Sequence, residues 1–307
     1  MAESALSLRA LTRRFDATVA VDALTWDVAA GELFGIVGPD GAGKTTTLRM
    51  LAGVLPPSAG DAFVEGMSVA HEPERVKPFI AYMAQRFGMY EDLSVIENIE
   101  FYADLYRVPR AERAARLERL WHFSRLEPFR DRLAGRLSGG MKQKLSLCCA
   151  LIHQPRVLLL DEPTFGVDPI SRRDLWLILH EMVADGVTVV VSTSYLDEAE
   201  RCDRVALLDH GRVLALDSPA ALQQAFPATL MAVRTDAPRH ARDLLRAHAG
   251  VRRAALFGES VHATLAHGVH WNDIAAQLTS AGITIMEAEQ IEASLEDVFI
   301  QRVGDLA

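Results

Sequence analysis

Cysteine is scarce in this chain: three residues in 307, at Cys148, Cys149 and Cys202, with no CxxC spacing. Adjacent cysteines rarely close a disulfide and an odd count suits reduced thiols. A disulfide scaffold and a thiolate zinc site are therefore excluded, and the three are expected as core residues in a reducing compartment. Aromatics are also few, at 7%. No apolar run approaches the roughly 18 residues that cross a bilayer. The start, MAESALSLRALTRRF, lacks the apolar stretch of a secretory signal. Basic charge is short too. Lysine and arginine number 32 against 41 acids, a net charge of −9, which argues against sequence-independent binding of nucleic acid.

What is present is 50% hydrophobic and 24% charged, the make-up of a globular chain long enough for one large domain or two ordinary ones. The first thirty residues alternate apolar and polar positions and predict antiparallel strands with one buried face. Residues 32–37 read as a short buried strand, and residues 46–52 carry apolar side chains at helical spacing before Gly53. From about 91 to 150 the pattern is helical. Residues 107–136 hold nine arginines against four acids, either a solvated helical face or a surface for anionic lipid headgroups. Apolar runs at 157–160, 187–191 and 205–208 alternate with helical stretches, predicting a largely parallel sheet covered on both faces. Beyond 226, strand patterns at 229–234, 261–266 and 284–289 surround two helical stretches. The expectation is a domain over 1–226 and a small α+β appendage over 227–307.

Three segments carry chemistry. Gly38-Pro39-Asp40-Gly41-Ala42-Gly43-Lys44-Thr45 fits a phosphate-binding loop between a strand and a helix. Its glycines let successive N–H groups turn toward a triphosphate at the positive end of a helix. Lys44 can reach the β and γ phosphates, and the Thr45 hydroxyl can ligate Mg²⁺. Asp161-Glu162 follows a buried strand. There Asp161 suits a metal shell, and Glu162 suits orienting or deprotonating a water for in-line attack. Ser138-Gly139-Gly140 opens an apolar helix and makes a second anion-binding helix start, or simply an N-cap and turn.

Taken in order, these segments make residues 6–225 resemble an ABC-transporter ATPase subunit, a P-loop NTPase with a parallel core sheet, an antiparallel N-terminal subdomain and a helical signature subdomain. The resemblance implies Phe15 as the adenine-stacking aromatic and Thr46 as a further ATP contact. It also implies Gln85 as the Q-loop residue on ATP and metal, LSGGM at 137–141 as the signature, Asp161-Glu162 as the Walker B pair, and Asp168 as the D-loop residue. In that family two subunits enclose two ATP molecules head to tail, and Ser138, Gly139 and Gly140 of one face the P-loop of the other. The tail Ser294-Leu-Glu-Asp-Val-Phe-Ile300 resembles ABC-2-type exporter ATPases. The segments Asp-Pro-Ile-Ser-Arg-Arg and Ser-Thr-Ser-Tyr-Leu-Asp-Glu-Ala-Glu are similar to the N-terminal ATPase half of YbhF-type multidrug efflux proteins, with one half present here. The implied partners are a second ATPase subunit, an ABC-2-type permease supplied as a separate chain and a periplasmic adaptor. The implied cofactors are ATP and Mg²⁺, and the implied location is the cytoplasmic face of the inner membrane. Residues 86–92 would contact the permease.

Two positions depart from the family pattern. Ser194 stands where most members have a switch histidine, and Asp40 stands where asparagine is usual. Losing one preorganised donor costs about 3–4 kcal/mol of transition-state stabilisation, part of which a bridging water recovers. Two expectations follow. Either the chain is a working exporter ATPase with Glu162, Lys44 and Ser194 in its catalytic centre, or it is a regulatory half whose partner performs most hydrolysis. His153, His180 and His210 lack metal spacing and are expected as surface or satisfied residues.

Overall fold

The alternation near the N-terminus folds as two long strands, β1 (Ser4–Phe15) and β2 (Thr18–Ala29), paired antiparallel. The computed structural model describes residues 4–85, 88–266 and 268–304. Next come β3 (Leu33–Val37), helix α1 (Lys44–Leu51), β4 (Ala59–Val64), β5 (Met67–Ser68), α2 (Pro73–Val76) and β6 (Ile80–Met83). The helical segment follows as α3 (Val95–Leu105), α4 (Arg110–Ser124) and α5 (Gly139–Leu151). Then come β7 (Val157–Asp161), α6 (Pro169–Ala184), β8 (Thr188–Thr193), α7 (Leu196–Ala199), β9 (Arg204–Asp209) and β10 (Arg212–Asp217), with α8 (Pro219–Gln224) after them.

β1, β2, β4 and β5 make one sheet, ordered β2-β1-β4-β5. The other runs β10-β9-β3-β8-β7-β6. Every pair in it is parallel except β10 with β9, which closes a hairpin at the edge. β3, β7 and β8 are buried along their whole lengths, which is why they read as unbroken apolar runs. Helix α1 packs on β7 and β8 on one side and on β4 on the other, so one core joins both sheets. Leu6, Leu8, Phe34, Ile36, Leu48, Met50, Leu159 and Val190 share it. Ser94 caps α3 through a reciprocal capping box with Glu97. β6 was not legible in the sequence: Ile80-Ala-Tyr-Met83 is too short for its period to be distinguished from a helix turn.

Contacts divide the chain between Pro219 and Ala220. The second unit is an antiparallel sheet ordered β12-β13-β11-β14, from β11 (Leu230–Thr235), β12 (Val251–Phe257), β13 (Ser260–Leu265) and β14 (Ile285–Ile291). Helices α9 (Pro238–Ala247), α10 (Trp271–Ser280) and α11 (Leu295–Gly304) accompany it. Val233, Leu245, Ala254, Val261, Ala263, Ile274 and Leu278 form its core. Two departures from the sequence expectation stand out among the described residues. β12 is an extra strand whose Arg252-Arg253 pair masks its alternation, and the tail motif supplies a third helix.

That tail motif is structural. Asp297 Oδ2 accepts from Ser294 N at 3.0 Å and Ser294 Oγ at 2.7 Å, and Asp297 N donates to Ser294 Oγ at 3.2 Å, capping α11. Asp297 Oδ1 lies 3.0 Å from His262 Nδ1, and the Phe257 ring stacks on that histidine at 4.0 Å. Burial alone would raise the Asp297 carboxyl, but hydrogen bonds from His262 and Ser294 outweigh it and hold the group below the ordinary aspartate value of 3.8. A depressed folded-state value gives stability present above the unfolded value and lost as pH falls through the folded one. Asp297→Asn should therefore melt at a lower temperature than the wild type at pH 6–7. The gap should narrow as pH falls below about 4, read by circular dichroism melts; a gap independent of pH would refute this.

Candidate functional site

β3 leaves the parallel sheet at Val37, and the chain turns through residues 38–43 into α1. Two glycines are demanded here. A Cβ on Gly38 would sit 2.2 Å from the carbonyl oxygen of Leu208, and Gly43 has φ +100° with its Cβ position 2.5 Å from the carbonyl oxygen of Ala20. Ala42 is buried beneath the loop, while Pro39, Asp40 and Gly41 form its exposed tip. α1 starts at Lys44 with no acidic residue in its first turn. Its first N–H groups and the positive end of its dipole thus serve the loop. Thr45 and Thr46 are half-buried in that turn.

The Lys44 head is almost wholly buried and fully engaged. Nζ donates to the carbonyl oxygens of Gly38 at 2.7 Å and Pro39 at 3.1 Å and to Ser194 Oγ at 3.0 Å, and lies 3.1 Å from Glu162 Oε1. Ser194 Oγ donates to Glu162 Oε1 at 2.9 Å, and Gln85 Nε2 donates to Glu162 Oε2 at 3.0 Å. Both carboxylate oxygens are therefore fixed by side chains from three distant segments. The Glu162 backbone has φ +47°, a left-handed conformation that costs an ordinary residue roughly 1–2 kcal/mol. Its N–H is held there by Ser192, through the carbonyl at 3.2 Å and Oγ at 3.0 Å.

One residue earlier, Asp161 ends β7 and is 1% exposed. Its Oδ1 accepts from Thr45 Oγ1 at 2.9 Å and Ser192 Oγ at 2.8 Å, and Oδ2 from the Tyr82 hydroxyl at 3.3 Å. Burial and the Asp161 charge push the Tyr82 hydroxyl up to about 12, so it stays a donor. Thr45 and Asp161 bring two hard oxygen ligands side by side, which suits a small divalent cation whose remaining positions are filled by phosphate oxygens and water. No cluster of three or more histidine, cysteine, aspartate or glutamate side chains among the described residues offers an all-protein metal site.

The other expected residues lie elsewhere on the same unit. Phe15 ends β1 with 42% of its surface exposed and the Arg13 guanidinium 4.6 Å from its ring centroid, so it is an open aromatic face rather than core. Ser138 caps α5, its Oγ accepting from Met141 N at 3.3 Å, and Ser138 and Gly139 are exposed. Gly140 is buried against α6, where a Cβ would meet Ser171 Oγ at 2.1 Å. Asp168 caps α6 by accepting from Ile170 N and Ser171 N, and the Ser171 hydrogen bonds hold its carboxyl below the ordinary aspartate value. Among the described residues, no hydrogen bond or ion pair joins residues 138–140 or Asp168 to the loop at 38–45, Asp161 or Glu162. Arg86 and Phe87, at the start of the segment expected to meet a permease, lie outside the described residues.

Ser192 and Tyr82 also belong to the site, both on Asp161, and were not anticipated. Both depend on strand order: parallel strand β8 sets Ser192 opposite Asp161, and β6, which carries Tyr82, flanks β7 on its other side. The cysteines are buried and free, as expected, with burial pushing the Cys148 thiol up to about 12. His153 Nε2 lies 3.0 Å from the Ile80 carbonyl and its ring stacks on Tyr106, but its buried Nδ1 has no hydrogen-bond partner among the described residues; His180 and His210 are exposed.

Comparison with known proteins agrees with this geometry. Residues 21–165 match the ABC transporter family, and residues 218–303 match the family described as ATP-binding protein DrrA1-3-like, C-terminal domain. The Nod factor export ATP-binding protein I of Rhizobium sp. (strain N33) is 34% identical over 307 residues, covering 99% of this chain and 98% of that protein. The probable multidrug ABC transporter ATP-binding protein YbhF of Escherichia coli (strain K12) is 49% identical over 226 residues, covering 73% of this chain. The match spans only 39% of the length of YbhF. The daunorubicin/doxorubicin resistance ATP-binding protein DrrA of Streptomyces peucetius is 38% identical, covering 80% of this chain and 76% of that protein. Among solved structures, an ATP-binding subunit of an ABC transporter superposes with TM-score 0.66 at 31% identity, covering 73% of this chain and 93% of that one. The ATP-binding cassette MJ0796, dimeric and bound to ADP and Pi, superposes with TM-score 0.63 at 25% identity, covering 69% and 98%. With a phosphate-type loop, a paired Asp161-Glu162 and full-length relatives of this kind, the chain belongs to the ABC transporter ATP-binding proteins.

Proposed function

We propose that this chain binds and hydrolyses ATP to power export through a separate ABC-2-type membrane permease. The observation that carries the reading is the Glu162 carboxylate held by Lys44, Ser194 and Gln85 beside the Thr45–Asp161 pair. In this reading Phe15 stacks on adenine, and residues 38–43 with Thr46 enclose the phosphates. Lys44 exchanges its contacts with Glu162 and the loop carbonyls for β and γ phosphate oxygens. Thr45, Asp161 and Gln85 would hold Mg²⁺, which when bound neutralises phosphate charge. Glu162, released from Lys44, then takes a proton from the attacking water. Ser194 keeps its hydrogen bond to Glu162, offering one hydroxyl where the family pattern has an imidazole.

Ser138 and Gly139 are exposed, and no hydrogen bond or ion pair among the described residues joins residues 138–140 to the loop of their own chain. They would close over the γ-phosphate of a second subunit, with Asp168 at the same junction. One relative is named for Nod factor export, and the other two for multidrug transport and for daunorubicin/doxorubicin resistance, which supports export of small molecules. A periplasmic adaptor and a place on the cytoplasmic face of the inner membrane complete the proposal; no helix among the described residues is long and apolar enough to cross a membrane. If the site needs two chains, steady-state Mg-ATP turnover should rise faster than linearly with protein concentration. Strictly linear turnover would refute the shared site. Tight ATP binding without turnover would favour the regulatory half-subunit, whose partner hydrolyses.

A further inference from the structure

Two stretches with no role in the mechanism above, Pro169-Ile-Ser-Arg-Arg173 directly after Asp168 and Tyr195-Leu-Asp-Glu198, meet around one buried carboxylate. Glu198 in α7 is 1% exposed. Its Oε2 accepts from Thr164 Oγ1 at 2.9 Å and from Thr193 Oγ1 at 2.8 Å. Its Oε1 lies 3.3 Å from Arg172 Nε, and neither of those two atoms has a hydrogen-bond partner among the described residues. The contact is thus one of charge rather than of aligned hydrogen bonding. The Arg172 guanidinium also covers the Tyr195 ring, 4.6 Å from its centroid, and Tyr195 N donates to Thr193 Oγ1 at 3.0 Å.

The addresses of these partners give the cluster its meaning. Thr164 stands two residues after Glu162, and Thr193 directly precedes Ser194. Arg172 N donates to the Asp168 carbonyl at 2.9 Å, closing the first turn of the helix that Asp168 caps. One carboxylate therefore ties together the loop carrying Glu162, the strand end carrying Ser194 and the start of α6. Burying an ion pair is a poor way to gain stability, since apolar residues of similar volume commonly do as well or better. A carboxylate that accepts from two loops at once does fix their relative position.

We propose that Glu198 is a positioning residue: it sets Ser194 and Glu162 in mutual register and, through Arg172, makes that register sensitive to the segment at Asp168. The inference rests on the reading of Glu162 as the group that activates water. A shift of about 1 Å in such a group can cost up to 10²-fold in rate, so small changes at Glu198 should register in kcat. Glu198 touches neither Lys44 nor residues 38–43 by hydrogen bond or ion pair, so nucleotide affinity should be spared.

The test is a kinetic cycle on the full chain. Glu198→Gln keeps an oxygen for the two threonines and removes the charge facing Arg172. It should lower kcat about tenfold, with KM for Mg-ATP within about twofold. In a Ser194→Ala background the same substitution should change kcat by less than about twofold, because the Ser194–Glu162 hydrogen bond whose register it sets is already gone. Thr193→Val, isosteric and uncharged, should reproduce the kcat loss and decides the matter if Glu198→Gln does not fold. Unchanged kcat, an equal loss in both backgrounds, or a loss that tracks a fall in melting temperature would make the cluster a structural ion pair and overturn the proposal. Wild-type turnover in Glu162→Gln would overturn the reading of Glu162 and this one with it; a normal Glu162→Gln loss beside inert Glu198 variants overturns only this one.

Discussion

Glu162→Gln should cut Mg-ATP turnover by about 10²–10⁴-fold, the usual contribution of a positioned general base. The amide keeps the shape of the side chain and can still accept the Ser194 hydroxyl proton, so the fold around Asp161 should persist. What it loses is the charge that can take a proton from water. It also loses the attraction that holds the group 3.1 Å from Lys44 Nζ. Lys44 is then freer to turn to a triphosphate, and one negative charge beside that triphosphate disappears. Binding of ATP should therefore tighten while hydrolysis stops, and a closed two-chain complex should accumulate. Light scattering with saturating Mg-ATP should show the mass doubled in the variant relative to the nucleotide-free sample. A variant that stays monomeric, with no partner chain relieving it, would count against the shared site, and one that turns over normally would remove Glu162 from the mechanism.

Lys44→Met should be nearly as severe by a different route. The side chain is almost wholly buried and methionine matches its length, but the substitution leaves the Glu162 carboxylate and two loop carbonyls without that partner, so the folded chain should lose stability as well. What disappears is the ammonium that now donates to two loop carbonyls and to Ser194. Removing one such preorganised charge from a phosphate site typically costs about 10²–10³-fold. Without nucleotide the melting temperature should fall below that of the wild type. Adding Mg-ATP should raise it in the wild type through mass action and leave it unmoved in the variant. A full ATP-dependent rise in Lys44→Met would show that the loop binds nucleotide without its lysine.

The contrast between these two residues shows how the site is divided between chain and fold. Lys44 and its glycines are contiguous in sequence, and their spacing alone implies a phosphate cradle. Glu162 is legible because it follows an apolar run that could only be a buried strand. Ser194 is legible only as a departure from a family pattern. Its hydrogen bonds to both Lys44 and Glu162 come from the parallel pairing of β8 with β3 and β7. The sequence gives no hint that Tyr82 and Ser192 reach Asp161, since nothing in a local window records which strands are neighbours.

By itself the sequence determined the local events. These include buried strands where apolar residues run unbroken, glycines where the backbone needs φ near +100° or has no room for a Cβ, and helix starts where Ser138 and Asp168 can cap. Such features depend on a few adjacent residues, so period and residue type suffice. The tertiary structure alone decided that Glu198 would gather Thr164, Thr193 and Arg172, and that Asp297 would meet His262. Each of those contacts joins segments brought together by strand order and helix packing. Burial makes such polar contacts consequential, because a carboxylate withdrawn from water must find its partners wherever the fold has placed them.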